Sequence, residues 1–136
     1  MTTEPRPAQP TPRVLIVEDE VMIRMLLEGM LRKLGYTITA EAGRVEEAIE
    51  VANNVDFDLA ILDVNLNGQS VSPVADVLSA RGMPFVFVTG YGEGGIPEAY
   101  RDRPILKKPF QMNGLRRVLE TGRQGARVVK DNGRRQ

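Results

Sequence analysis

Any chemistry in this chain of 136 residues must be done without histidine or cysteine, because it contains neither. Ser-His-Asp triads, thiolate nucleophiles, disulfides, His or Cys metal cages and phosphohistidine carriers are thereby excluded. Carboxylate, hydroxyl, amine and phenol groups remain. Three adjacent acids, Glu18-Asp19-Glu20, follow directly on the apolar residues 14–17. Like charges this close repel by on the order of 1 kcal/mol per pair near a surface. Water, a cation or a helix N-terminus must offset that repulsion. The other candidates are Asp63 after residues 59–62, Thr89 after residues 85–88, and Lys107-Lys108-Pro109 after residues 105–106.

The elements that must position these groups show in the apolar pattern. Residues 14–17, 36–40, 59–62, 85–88 and 105–106 read as strands. Between them, apolar residues recur at helical spacing. Ile23, Leu26, Leu27, Met30, Leu31 and Leu34 mark a helix over 21–34, closed by Gly35. Ala48, Ile49 and Ala52 mark a second over 45–52. Val74, Val77 and Leu78 mark a third over 74–80, and a last one spans 112–119. Residues 97–100 have room for a turn or two of helix at most. This fivefold βα alternation, with strands apolar on both faces, predicts an α/β fold: a doubly wound (βα)5 sandwich around a five-stranded parallel sheet.

The remainder of the chain offers less. Residues 1–12 hold four prolines and little to bury, so a disordered leader is expected. Residues 123–136 carry five basic residues and one acid and read as a flexible basic tail. The folded unit then covers 13–122. The 18 basic and 18 acidic residues balance, giving no field that argues for nucleic acid. No apolar run reaches transmembrane length and no signal peptide is evident, so a cytoplasmic protein without membrane contact is expected.

In a doubly wound sheet, ligands sit beyond the carboxyl ends of the strands. Glu18, Asp19, Asp63, Thr89 and Lys108 all fall at such ends, and the topology brings them to one crevice. Each has an ordinary explanation when taken singly: acids favour helix starts, and paired lysines are commonly solvated. Their conjunction is what points to chemistry. An oxygen-only donor set suits a hard cation, with Mg²⁺ the natural choice. Lys107, one residue earlier in its strand than Lys108, should point away from the crevice.

With these residues in place, the chain from 13 to 122 resembles the receiver domain of bacterial response regulators, the CheY-like family. Glu18-Asp19, Asp63, Thr89 and Lys108-Pro109-Phe110 carry the resemblance. It implies a flavodoxin-like strand order, 2-1-3-4-5. It also implies that Asp63 accepts a phosphoryl group from the phosphohistidine of a sensor kinase or a histidine phosphotransfer protein. Asp19, Asp63 and the backbone carbonyl of Asn65 would ligate Mg²⁺, with Glu18 acting through water. Thr89 and Lys108 would bind phosphoryl oxygens, and the Lys108–Pro109 bond would be cis. Mg²⁺ and Lys108 would hold the Asp63 pKa down so that it is ionised.

The chain also departs from the family. Ile105 stands where many receivers carry an aromatic residue, so the usual Thr–aromatic switch cannot operate in its ordinary form. PFVFVTGYG over residues 84–92 resembles the Pro-Phe-x-Phe-Ala-Thr-Gly subclass of single-domain receivers, with Val88 for alanine. There Tyr91 is a switch candidate, although plain packing on its loop accounts for it equally well. Gly90, Gly92, Gly94 and Gly95 predict that the fourth helix is shortened or disordered. The proline common after the acceptor loop is replaced by Leu66-Asn67-Gly68, which favours a tight turn. The apolar residues of this helix exceed what one buried face needs; core packing is the first reading for Met22 and Met25, and if they face outward they suit adaptable docking of a kinase's helices, as the resemblance implies.

The expected function is a stand-alone response regulator in a two-component phosphorelay. Output would come through protein–protein contact, or the domain would serve as a phosphate sink or relay. It is a signalling domain that catalyses only its own phosphorylation and dephosphorylation. Two other readings stay open: a phosphorylation-independent adaptor with the same fold, and an aspartyl-phosphate phosphatase using Asp63. The phosphatase reading lacks its usual second acid, since Asn65 stands two residues after Asp63.

Overall fold

The protein was analysed as a computed structural model that describes residues 11–90 and 95–135. Nearly all of the expected leader, and Tyr91, lie outside the described residues. In chain order the elements are β1 (Arg13–Val17), α1 (Val21–Lys33), β2 (Thr37–Ala42), α2 (Val45–Asn54), β3 (Leu59–Asp63), β4 (Asn65–Leu66), β5 (Gln69–Ser70), α3 (Ser72–Ala80), β6 (Phe85–Thr89), a 3₁₀ turn (Glu98–Tyr100), β7 (Ile105–Lys107) and α4 (Met112–Arg135).

Five strands form one parallel sheet in the order β2-β1-β3-β6-β7. This is the expected 2-1-3-4-5 order, with the small antiparallel hairpin β4–β5 added after β3. Alternation along the strands divides the core between two faces. Leu15, Val17, Ala60, Leu62, Phe85 and Phe87 pack with α2 and α3 residues such as Ala48, Ala52, Val74 and Leu78. Val14, Ile16, Leu59, Ile61, Val86 and Val88 pack with Leu27 and Leu31 of α1 and Leu115 and Leu119 of α4. Both faces of β1, β3 and β6 are buried, as parallel strands between helix layers require.

Local chemistry explains the helix limits. Gly35, at φ +93°, carries the chain out of α1, and Arg32 and Lys33 in the last turn complement its dipole. Pro73 occupies the first turn of α3, where its missing N–H costs nothing. The fourth helix is reduced to the 3₁₀ turn, as the glycine-rich stretch before it predicts.

Three expectations need correction. Leu26, assigned inward by spacing, is 45% exposed, because the buried stripe of α1 is centred on Leu27 and Leu31. Glu20, expected as a dipole-favoured acid in the first turn of α1, is instead the residue just before it, and that turn holds no acid. The last helix does not stop near 119 but continues to Arg135, so the boundary drawn at residue 123 falls inside α4. Arg, Gln, Ala and Lys in that stretch are good helix formers, and Gly122 does not terminate the helix. Among the described residues no helix is long and apolar enough to cross a membrane.

Candidate functional site

β1, β3 and β6 lie side by side and end together, so residues distant in sequence meet at their carboxyl ends. Asp19, Glu20, Asp63, Val64, Asn65, Gly90 and Lys108 line a crevice of about 360 Å³ there. Glu18, Asp63 and Thr89 are buried polar residues at these strand ends. Carboxylate oxygens of Glu18, Asp19 and Asp63 lie within 4.8 Å of one another. Lys108 reaches in from the end of β7, and the Lys108–Pro109 bond is cis. Its Nζ stands 3.5 Å from Asp63 Oδ2 and 3.3 Å from Glu18 Oε1. Lys107, next in the strand, is exposed.

Backbone groups hold each acid. Asn65 N–H donates to Asp63 Oδ1 at 3.3 Å, and Glu20 N–H donates to Glu18 Oε2 at 3.1 Å. Asn67 N–H donates to Asp19 Oδ2 at 2.9 Å. Thr89 closes β6, and its carbonyl accepts the Lys108 N–H at 2.8 Å, tying the two strand ends together.

Burial dominates the electrostatics. It pushes Glu18 up to about 7, aided by the neighbouring Asp63 carboxylate. It also raises Asp63 above the ordinary carboxylate range, with Lys108 pulling the other way but not far enough. Lys108 alone therefore does not hold the Asp63 pKa down as expected, because desolvation is the larger effect. Burial works against the Lys108 charge too. The Asp63 and Glu18 carboxylates more than offset it and leave the ammonium pKa raised.

The donor set fits a hard divalent cation. Every side-chain donor in the acidic cluster is a carboxylate oxygen. Glu18 Oε1 is buried without a hydrogen-bond partner among the described residues; its contact with Lys108 is an ion pair without hydrogen-bond alignment. Two buried acids that burial drives toward neutrality have the most to gain from added positive charge.

Glu18, Asp19, Asp63, Thr89 and Lys108 thus meet at the strand ends, Lys107 does not join them, and Tyr91 lies outside the described residues. Sequence reasoning missed that Lys108 touches Glu18 as well as Asp63, and that the backbone of Asn67 holds Asp19. Asn67-Gly68 was legible as a turn, but nothing local tells which group its amide faces.

The chain belongs to the response regulator receiver domain family, which residues 14–120 match. Receiver domains of two-component response regulators are signalling domains. Over 123 residues the chain is 38% identical to the transcriptional regulatory protein PdtaR of Mycobacterium tuberculosis. That match takes in 88% of this chain, which spans only 60% of the length of that relative. Among solved structures it resembles SdrG from Sphingomonas melonis Fr1, at 42% identity and a TM-score of 0.75, covering 82% of this chain and 96% of that one. It also resembles the BeF3-activated conformation of SdrG from Pseudomonas melonis Fr1, at 44% identity and a TM-score of 0.69, covering 79% and 92%.

Proposed function

We propose that this receiver, with residues 13–122 as its working unit, accepts a phosphoryl group on Asp63. The donor is the phosphohistidine of a sensor kinase or a histidine phosphotransfer protein. The observation that carries this reading is the placement of Lys108 Nζ 3.5 Å from Asp63 Oδ2, beside two further carboxylates suited to a cation. An Asp63 oxygen attacks phosphorus, an O–P bond forms, the N–P bond breaks, and the departing imidazole takes a proton from water. Charge stabilisation around the moving group is the main catalytic need of such transfers. Lys108 offers its ammonium to the phosphoryl oxygens, and Thr89 its hydroxyl.

Mg²⁺ would be held by Asp19, Asp63 and the Asn65 carbonyl, with Glu18 acting through water. When bound it supplies positive charge at the acceptor and the transferred group. The BeF3-activated relative shares 44% identity with this chain, which supports the same acceptor chemistry here. PFVFVTGYG supports membership of the single-domain subclass and a switching role for Tyr91. Output would then pass through protein–protein contact.

The donor docks, we infer, on α1. Val21, Met22, Met25 and Leu26 are exposed there, Met22 by 80%, on the helix that begins directly after the acids. Exposed methionines suit a helical partner whose surface must be matched without a fixed lock. A phosphatase reading finds less support. Asn65 Oδ1 accepts Gly68 N–H at 2.7 Å, so that side chain braces a turn and is no acid.

Asp63→Asn should abolish labelling by a cognate kinase while the protein stays folded. Phosphotransfer at wild-type rate to the variant would overturn the assignment.

A further inference from the structure

The β4–β5 hairpin does more than join β3 to α3. Both residues at its tip are left-handed, Asn67 at φ +53° and Gly68 at φ +85°, the pattern of a type I′ turn. Asn65 Oδ1 accepts the Gly68 N–H and braces the tip from within. Val64, Leu66 and Val71 are buried and root the hairpin in the core. Val71 N–H also donates to the Val64 carbonyl across its base, at 3.2 Å. A tip fixed this firmly aims the Asn67 N–H at Asp19 Oδ2, 2.9 Å away and 48 residues distant in sequence. Asp19 is only partly buried, so solvent would otherwise let its carboxylate turn.

We propose that Asn67 is a positioning residue. Its backbone N–H orients Asp19 for the cation, so that the hairpin tip sets the Mg²⁺ affinity of the site. The proposal rests on reading Glu18, Asp19 and Asp63 as the cation site. Groups that hydrogen-bond a ligating carboxylate fix its orientation, and their loss commonly costs about 10- to 100-fold in metal affinity. A proline at position 67 could not do this work: it has no N–H, and its φ is locked near about −65°.

The test is a Mg²⁺ titration of the full chain, followed on backbone amide signals, for wild type, Asn67→Gly and Asn67→Pro. Glycine keeps both the N–H and the positive φ, so its affinity should stay within about threefold of wild type. Proline should weaken binding by about 10- to 100-fold. Equal affinity in a folded Asn67→Pro variant overturns the proposal and leaves the cation site standing. A wild-type protein that does not bind Mg²⁺ overturns both. Whether or not the proline variant folds, the wild-type protein also decides. A through-hydrogen-bond coupling between the Asn67 nitrogen and the Asp19 carboxylate carbon, with slowed exchange of the Asn67 amide, should persist at saturating Mg²⁺, whereas a bond that only braces the turn need not survive cation binding. Absence of both overturns the proposal.

Discussion

The two faces of the sheet are covered in different ways. On one, α1 and α4 lie over β1, β3 and β6, and α4 presses close to the strands. A Cβ added at Gly122 would stand 2.8 Å from Val86 Cγ1 and 3.6 Å from Leu59 Cδ1. On the other face α2 and α3 pack with the strands, including Phe85 and Phe87 of β6, and the short 3₁₀ turn follows β6. There Ile96 is buried, and Tyr100 packs edge-on against Phe85 at 5.4 Å. Arg103 lies over the Phe85 ring at 4.2 Å, and Tyr100 O–H donates to Asp76 Oδ1 of α3 at 2.6 Å. The α4 layer is thus fitted closely at Gly122, whereas the 3₁₀ turn is held by a few aromatic and polar contacts near the surface. Cooperative packing resists local opening, whereas a short element held by exposed contacts opens at low cost. The crevice sits at the end of both faces, with its acids on the shape-fitted strands and the 3₁₀ turn beyond Gly90.

Gly122 is the sharpest way to break this contrast. Gly122→Val should destabilise the protein by about 1–3 kcal/mol, because the packed layer has no room for a larger residue. Gly29 of α1 has nothing within 4 Å of an added Cβ and is exposed, so Gly29→Ala should stabilise by about 0.5–1 kcal/mol through helix propensity. Urea unfolding midpoints check both. Opposite signs are expected, and a neutral Gly122→Val would show that α4 does not fit tightly.

On the other face, Tyr100→Phe keeps the ring against Phe85 and removes only the bond to Asp76. That bond also raises the Tyr100 pKa. A loss at the low end of about 0.5–1.5 kcal/mol is expected, since the pair is partly solvated. Amide exchange over residues 96–103 should quicken while the strands of β1 and β3 are unaffected. Unchanged exchange there would mean that ring packing alone holds the turn.

What could be read in advance follows the same division. Strands buried on both faces are continuous apolar runs, so β1, β3 and β6 were legible. The strand-end rule then placed Glu18, Asp19, Asp63, Thr89 and Lys108 together. Two-residue strands carry no periodicity, so the hairpin was visible only as the turn at Asn67-Gly68. Its bond to Asp19 depends on where two distant segments lie, which no local pattern encodes. The end of α4 was misjudged because a polar, basic stretch reads as a tail. Gly122 marks close approach to the sheet, and the helix formers after it were the available signal. That Lys108 by itself does not hold the Asp63 pKa down was not legible, because desolvation shows only once burial is known.

The smallest effect expected lies at the rim of the shape-fitted face, where α1 meets the edge strand β2. Glu41 is pushed up to about 7 by burial and by the nearby Glu28 carboxylate, with Arg24 and Arg32 opposing. Arg24 Nη1 stands 3.9 Å from Glu41 Oε1, too far to neutralise it fully. A folded-state pKa above the unfolded value of about 4.3 means that the folded protein binds the extra proton. Whatever stability Glu41 contributes is therefore present below about pH 4.3 and is lost as pH rises through its folded value near 7. Glu18 titrates in the same range, so the wild-type profile mixes the two. Glu41→Gln isolates one of them. Its stability should fall less than wild type between pH 5 and 8 (a range set about the two pKa values), by under about 1 kcal/mol after solvent screening of a partly exposed group. Parallel pH profiles for variant and wild type would place the whole slope on Glu18 and the crevice, and none of it on the rim.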